Sequence, residues 1–256
     1  MNNRKTLVNP QSNKPVTLSK RLQAIARMVT PGHRVGDVGC DHGFVSIHLI
    51  EQGISPHVIA MDINAGPLAR ATDHIKERHL SAYIETRLSN GMAALRSGEV
   101  ETVILAGMGG PLMETILTAD IDKTMAVQEL ILQPQSKLTE FRHFIYASGY
   151  HIVAEDIVWE EDKFYPLMKV ILSPDKTNLT ATEYRWGPLL LSQRHPVLHH
   201  YLLREKNLKA QLIEKLTPPD GTILSPSGVL PVTDRALRST QLQNELAELT
   251  QLLKHW

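Results

Sequence analysis

From Val35 to Phe44 the chain reads Val-Gly-Asp-Val-Gly-Cys-Asp-His-Gly-Phe, and no other stretch constrains the fold as tightly. A short apolar run closes on an acid, passes a glycine-containing turn and opens a helix. This is the local form of a strand-turn-helix unit beside a nucleotide-like ligand. Gly39 lets the backbone come close to such a ligand. Asp37 and Asp41 stand where a phosphate-binding loop would avoid negative charge. A ligand suited to an acidic turn carries positive charge and no phosphate. S-adenosylmethionine, with its ammonium and sulfonium groups, fits that description.

The flanking sequence continues the pattern. Leu18, Leu22, Ile25 and Val29 recur at helical spacing and stop at Pro31-Gly32, so an amphipathic helix precedes the first strand. Lys20 and Arg27 project opposite its apolar stripe, whereas Arg21 flanks the stripe and can reach a neighbouring site. Strands are expected at Val35–Val38, Val58–Met61, Ala82–Arg87, Thr102–Ala106 and Glu129–Leu132. Helices are expected at Phe44–Glu51, Pro67–Arg78, Pro111–Leu117 and Lys137–Ala147. Such alternation argues for a parallel sheet with helices on both faces. Two β-rich runs, His151–Trp159 and Phe164–Leu172, then form a hairpin across the acidic turn Glu160-Glu161-Asp162-Lys163 and add antiparallel strands.

Beyond a linker at Ser173–Thr180 the period becomes helical. Leu208, Leu212 and Leu216 lie four apart, and Leu242, Leu246, Leu249 and Leu253 follow at four, three and four. A segment rich in proline and glycine separates the two runs, which predicts an antiparallel helical hairpin with a coiled-coil-like seam. The expected organisation is a flexible segment at 1–16, an α/β domain at 17–176 and a helical subdomain at 177–256.

Ligands in a doubly wound sheet sit beyond the carboxyl ends of the strands, so the residues closing each strand are the candidate site. They are Asp37, Gly39, Asp41 and His42 after the first strand, then Asp62 and Ile63, then Asn90 and Gly91. Gly107 and Met108 open the Gly-Met-Gly-Gly turn after the fourth strand, and Gln133-Pro134-Gln135 follows the fifth. Asp62 is the acid expected to accept hydrogen bonds from a ribose diol, and the Asn90 amide offers a donor and an acceptor to an adenine edge. A dinucleotide is disfavoured. Its G-x-G-x-x-G fingerprint would place a glycine where Asp41 stands, and that carboxylate repels a diphosphate.

Composition adds boundaries. The 256 residues are 42% hydrophobic with zero formal charge, so contact with nucleic acid must come from local patches. Residues 1–36 hold Arg4, Lys5, Lys14, Lys20, Arg21, Arg27 and Arg34 and no acid, which suits RNA or a solvated tail. Cys40 is the only cysteine, so there is no disulfide framework and no cysteine-based zinc site. His195, His199 and His200 lack a third ligand of recognisable spacing, so no metal is expected. No apolar run reaches the ~20 residues of a membrane span, which suggests a soluble cytoplasmic protein.

Four motifs give the chain a family likeness: Leu18-Ser19-Lys20-Arg21-Leu22, Asp37-Val38-Gly39-Cys40-Asp41-His42, Ala106-Gly107-Met108-Gly109-Gly110 and Leu130-Ile131-Leu132-Gln133-Pro134. With Glu160-Glu161-Asp162, Gly187-Pro188 and the C-terminal helical pair, the chain resembles the bacterial tRNA adenine-22 N1-methyltransferases from residue 18 onward. The resemblance implies a Rossmann-like, seven-stranded class I methyltransferase sheet with a C-terminal coiled-coil-like subdomain. It implies S-adenosylmethionine as cofactor, tRNA as partner and methylation at N1 of an adenine in the D-arm region. Asp37, Gly39, Asp41, Asp62, Asn90, Gly107 and Met108 would surround the cofactor. The chain departs from the family pattern at Ser89-Asn90-Gly91, where Gly-Asp-Gly is usual, at Gln135, where Asn is common, and at Asp62, often Glu.

Methyl transfer from a sulfonium depends on in-line approach more than on a strong base. Asp41, Gln133 and Gln135 are the expected catalytic residues, the glutamines at the base edge and Asp41 near developing positive charge. RNA contact is expected from Lys20, Arg21, Arg27, Arg204, Lys206 and Lys209, and the helical hairpin could alternatively serve dimerisation. The chain is expected to be a monomer or a weak homodimer. Two other readings stay open: a methyltransferase for a small molecule or protein, and a module that binds S-adenosylmethionine without turnover.

Overall fold

The structure is a computed structural model that describes residues 15–175, 177–216, 232–254 and 256. Arg4, Lys5, Lys14, most of the expected flexible segment and the breaker-rich turn at 217–231 lie outside the described residues. The chain divides into two compact units, Met1–Leu190 and Leu191–Trp256.

The first unit is built on a seven-stranded sheet of order β3-β2-β1-β4-β5-β7-β6. The strands are β1 (Val35–Val38), β2 (Val58–Asp62), β3 (Ile84–Leu88), β4 (Thr102–Met108), β5 (Glu129–Pro134), β6 (Tyr150–Glu160) and β7 (Lys163–Leu172). The first five run parallel, and β7 pairs antiparallel with both β5 and β6. Chain order reverses between β1 and β4, which opens a crevice at their carboxyl ends.

The helices are α1 (Lys20–Met28), α2 (Phe44–Glu51), α3 (Ala65–Glu77), α4 (Gly110–Ala119), α5 (Ile121–Ala126), α6 (Leu138–Ala147), α7 (Ala181–Trp186) and α8 (Pro188–Ser192). Strand alternation sorts the core into two layers. Ile104 and Ile131 pack with Ile25 of α1, Ile47 of α2 and Ile75 of α3. Val103, Leu105, Leu130 and Leu132 face the other way, against Met113 of α4 and Phe141 of α6. Central strands covered on both faces explain why their sequences are continuous apolar runs.

Several boundaries move for local reasons. β3 starts at Ile84, not Ala82, because Tyr83 N–H closes a turn on Leu80 O. β4 extends to Met108 through a bulge at Gly107, whose φ is +78°. The β6–β7 turn shortens to Glu161-Asp162, both at positive φ, the form that two-residue hairpins favour. Helix α5 has no counterpart in the sequence reading.

The sheet unit runs past residue 176 because a buried ion pair holds α7 and α8 to it. Arg142 Nη2 lies 3.1 Å from Glu155 Oε1, and Arg142 Nη1 donates to the carbonyls of Tyr184 and Arg185. Glu155 Oε2 in turn accepts from Leu189 N–H at 2.9 Å.

In the second unit α9 (Pro196–Leu216) pairs with α10 (Val232–Lys254). His199 stacks on Trp256 while Lys209 meets Glu245, so the two helices run antiparallel. The buried stripe of α9 is Leu198, Leu202 and Lys209, facing Leu242 and Leu249. The expected stripe is therefore corrected: Leu208 and Leu212 are exposed at 49% and 38%. Among the described residues no helix is long and apolar enough to cross a membrane.

Candidate active site

A cavity of about 290 Å³ opens at the carboxyl ends of β1 and β4. Its lining includes Arg21, Asp37, Gly39, Asp41, His42, Phe44, Gly107 and Gln135. The turn after β1 shapes one wall. Gly39 at φ +76° donates its N–H to Met61 O at 2.8 Å, and a side chain there would collide with Met108. Gly43, at φ +71°, starts α2 where a Cβ would sit 3.2 Å from Ala71 Cβ, so this glycine lets α2 approach α3.

Asp37 is buried at the end of β1. Its Oδ2 accepts a 2.6 Å hydrogen bond from Ser46 Oγ on the first turns of α2. Burial pushes its carboxyl up to about 6 despite that bond. Burial, then the Asp37 and Asp62 carboxylates, drive the Cys40 thiol upward as well, so Cys40 stays a thiol and not a nucleophile. Asp41 is different: its carboxylate is 62% exposed, 3.4 Å from Arg70 Nη2 and 3.7 Å from His42 Nε2.

Asp62 closes β2 beside this turn. Its Oδ1 accepts from Asn64 N–H at 2.8 Å and its Oδ2 from Asp41 N–H at 3.4 Å. Ile63 and Leu88, each 60% exposed, present apolar side chains next to it. Ser89 accepts from Ala94 N–H and donates to Gly91 O, and its own N–H reaches Asp62 O. That knot leaves Asn90 exposed beside Asp62. Gly91 faces inward instead, where a Cβ would sit 2.9 Å from Ile116 Cγ2. Asp62, Ile63, Asn90, Gly91 and Met108 do not line the cavity itself. Asp62 and Ile63 lie at the end of β2, and Asn90 follows the end of β3.

The far wall differs from the sequence reading at Gln133 and at Arg21. Gln133 presents no edge to a base: it is fully buried, and its Oε1 accepts from both Arg21 Nη1 and Gly107 N–H at 3.1 Å. Gly109 and Gly110 serve packing, since a Cβ on either would meet Ser136 within 3 Å. Arg21 is a wall of the cleft and not a free RNA contact, its guanidinium lying 5.4 Å from the Tyr165 ring centroid. Glu160 holds α1 in place by accepting from the N–H groups of Lys20 and Arg21.

Lys20 and Arg27 are exposed on α1, as is Arg204 on α9, while Lys206 is half-buried there. Lys209 is corrected as an RNA contact, because it is 9% exposed and lies 2.6 Å from Glu245. Ser46, Tyr165 and Glu160 gain roles that only long-range packing reveals. Among the described residues no group of three or more His, Cys, Asp or Glu side chains could hold a metal ion.

The cleft suits S-adenosylmethionine on its own chemistry. Buried and exposed carboxylates share the lining with one guanidinium, and the glycine turn leaves space that a Cβ would fill. No phosphate cradle is present in the turn after β1, where Asp37 and Asp41 stand.

A protein-family profile described as a methyltransferase domain matches residues 18–168. The tRNA (adenine(22)-N(1))-methyltransferase of Bacillus subtilis is 32% identical over 151 residues, which is 59% of this chain and 63% of that protein. A Streptococcus pneumoniae protein described as a candidate tRNA (m1A22) methyltransferase is 30% identical, covers 93% of this chain and 100% of its own, and superposes at a TM-score of 0.79. Its complex with S-adenosyl-L-methionine matches at a TM-score of 0.78 with 29% identity, over 93% of this chain and 100% of that one. The profile spans more than half of this chain, and the solved relative is matched along its whole length. The chain belongs to the S-adenosylmethionine-dependent class I methyltransferases, in the family of the bacterial tRNA (adenine-22-N1)-methyltransferases.

Proposed function

We propose that this protein methylates N1 of adenine 22 in the D arm of tRNA in the cytoplasm, using S-adenosylmethionine. The observation that carries this reading is the near-complete match to the S. pneumoniae protein, joined to a cleft whose acids and glycine turn suit a phosphate-free cation. When bound, the cofactor supplies a methyl group on a sulfonium.

The chain's own residues have distinct tasks in this reading. Asp62 accepts hydrogen bonds from the ribose diol, Asn90 meets the adenine edge, and Ile63 and Leu88 cover the flat ring. Asp37 faces the ammonium, which compensates the burial of its carboxylate. Asp41, exposed at the rim, faces the charge that develops on the target adenine, whose N1-methylated form is cationic. The base must leave any pairing to reach the cleft. Lys20, Arg27, Arg204 and Lys206 supply phosphate contacts.

The test is to incubate the protein with labelled S-adenosylmethionine and unmodified tRNA, then map the modified nucleoside. The expected product is 1-methyladenosine at position 22. Label in another nucleoside, or none with cofactor bound, would reject the assignment.

A further inference from the structure

The β6–β7 hairpin carries an aromatic pair that the cleft does not use. Trp159 and Phe164 are cross-strand partners, and their rings lie 4.2 Å apart between centroids with planes tilted by 41°. Side chains alternate along a strand, so the adjacent Val158 and Tyr165 point the other way, where the Tyr165 ring receives Arg21 from the cleft wall. On the pair's own face the hairpin is closed lower down: Ile157 and Met168 are buried, and Glu155 pairs with Arg142. One step further along, Trp159 and Phe164 are only half-buried. β7 lies against β5 with Met168 level with Leu132, a register that leaves Phe164 beyond Pro134, the last residue of β5. The pair therefore stands past the carboxyl ends of the central strands, the end at which the cleft opens.

We propose that Trp159 and Phe164 form a stacking platform for the nucleobase next to the target adenine in tRNA. The inference rests on the tRNA reading above. A base that leaves its helix to enter a cleft unstacks its neighbours, and an aromatic face offsets that loss for any base, since every base has a π-face. The charges around the pair favour a base over a phosphate. Glu161 and Asp162 are exposed at the tip of the hairpin, and Glu160 is engaged by the N–H groups of Lys20 and Arg21, so a phosphate laid on the rings would meet acids. Lys163, beside Phe164, and Lys20, held to the residue after Trp159, are both exposed. They flank the platform and can take the phosphates on either side of a stacked base.

The experiment measures the affinity of the full chain for unmodified tRNA and for tRNAs carrying an abasic nucleotide on the 5′ or the 3′ side of the target adenine. The proteins are the wild type, Trp159→Leu, Trp159→Tyr and Phe164→Leu. Base–aromatic stacking corresponds to about fivefold or more in affinity. One of the two abasic tRNAs should bind the wild type more weakly than intact tRNA by that factor. Trp159→Leu should bind intact tRNA more weakly by the same factor and show no further loss with the abasic tRNA, whereas Trp159→Tyr should restore most of the difference. Phe164→Leu repeats the comparison from the partner strand, and S-adenosylmethionine affinity should be unchanged in all three variants. A wild type indifferent to both abasic tRNAs overturns the platform. So does a Trp159→Leu or Phe164→Leu variant that keeps the full abasic penalty, which would mark the pair as a brace of the hairpin. A wild type that neither binds nor methylates intact tRNA overturns the tRNA reading itself, so the two failures are distinguishable.

Discussion

The Ser46 hydroxyl reaches across from α2 to hold the buried Asp37 carboxylate at 2.6 Å, yet the carboxyl still sits at about 6 against an ordinary 3.8. Desolvation outweighs the hydrogen bond. The protonated form is favoured in the fold, so this group's stabilising contribution is complete below pH 3.8 and is lost as pH rises through about 6. At neutral pH the ionised group costs about 3 kcal/mol in the free protein. Asp37→Asn should therefore melt several degrees above the wild type at pH 7.5, with the gap closing near pH 4, and should bind S-adenosylmethionine more weakly. Thermal unfolding across pH checks the first part and calorimetry the second. A variant less stable than the wild type at pH 7.5 would contradict the argument.

The buried Arg142–Glu155 pair makes a second prediction. Burial lowers Arg142 and raises Glu155 from their ordinary ranges, and the carboxylate also accepts from Leu189 and Leu190 N–H. Arg142→Ala strands that acid and should cost about 3–5 kcal/mol. Replacing both partners with Met and Leu should cost clearly less. Gly187→Ala should also destabilise, because its φ is +99° and a Cβ would lie 2.7 Å from Glu155 Oε1. Urea unfolding of the four proteins compares them directly.

Much of this architecture is legible from local signals. Strand-helix alternation and the acids and glycines at strand ends follow from short-range patterns, so the sheet and the rim of the cleft can be located without coordinates. Arg21 could be placed near a site by helical geometry, but its partner Gln133 is 112 residues away, and no spacing rule links them. Leu208 and Leu212 mislead because a four-residue repeat does not choose which side meets the partner helix. The buried stripe lies one position over, ending on Lys209, whose aliphatic stem packs while its ammonium pairs with Glu245. Glycines 109 and 110 continue the turn after the fourth strand, and only the position of Ser136 shows why neither can carry a Cβ.

Glu160 links the β6–β7 hairpin to the cleft. Burial alone would raise its carboxyl, but the N–H groups of Lys20 and Arg21 hold it below the ordinary range. Glu160→Ala removes an acceptor at the start of α1, worth about 1 kcal/mol of stability. It should weaken S-adenosylmethionine binding several-fold by freeing Arg21. Unchanged affinity in a calorimetric titration would show that α1 needs no such anchor.

For RNA, the exposed cations and the buried one should behave differently. Lys20→Ala, Arg27→Ala and Arg204→Ala should each lower tRNA affinity and reduce the slope of log affinity against log salt by up to about one. Lys209→Ala should leave that slope unchanged and instead loosen the α9–α10 pair, since its ammonium is 2.6 Å from Glu245. Filter binding over a salt series, with circular dichroism of each variant, separates the two effects. A salt slope that falls with Lys209→Ala as much as with Arg204→Ala would refute the division.

Asp41 carries the last prediction. Its carboxylate is the exposed acid of the cleft, held loosely by Arg70 at 3.4 Å and His42 at 3.7 Å, and its φ of +47° is set by the turn that carries it. Asn tolerates that backbone region and keeps the side-chain volume, so Asp41→Asn removes charge with little change of shape. A carboxylate facing developing positive charge stabilises the transition state more than the ground state, and at a solvated rim the effect should be about tenfold. Asp41→Asn should thus lower the single-turnover rate of tRNA methylation by about that factor while cofactor affinity changes little. Arg70→Gln should move the rate the other way or leave it unchanged, because it releases the carboxylate from its salt partner. If Asp41→Asn instead weakens cofactor binding and leaves the single-turnover rate intact, Asp41 belongs to the cofactor's ammonium site and not to the chemistry.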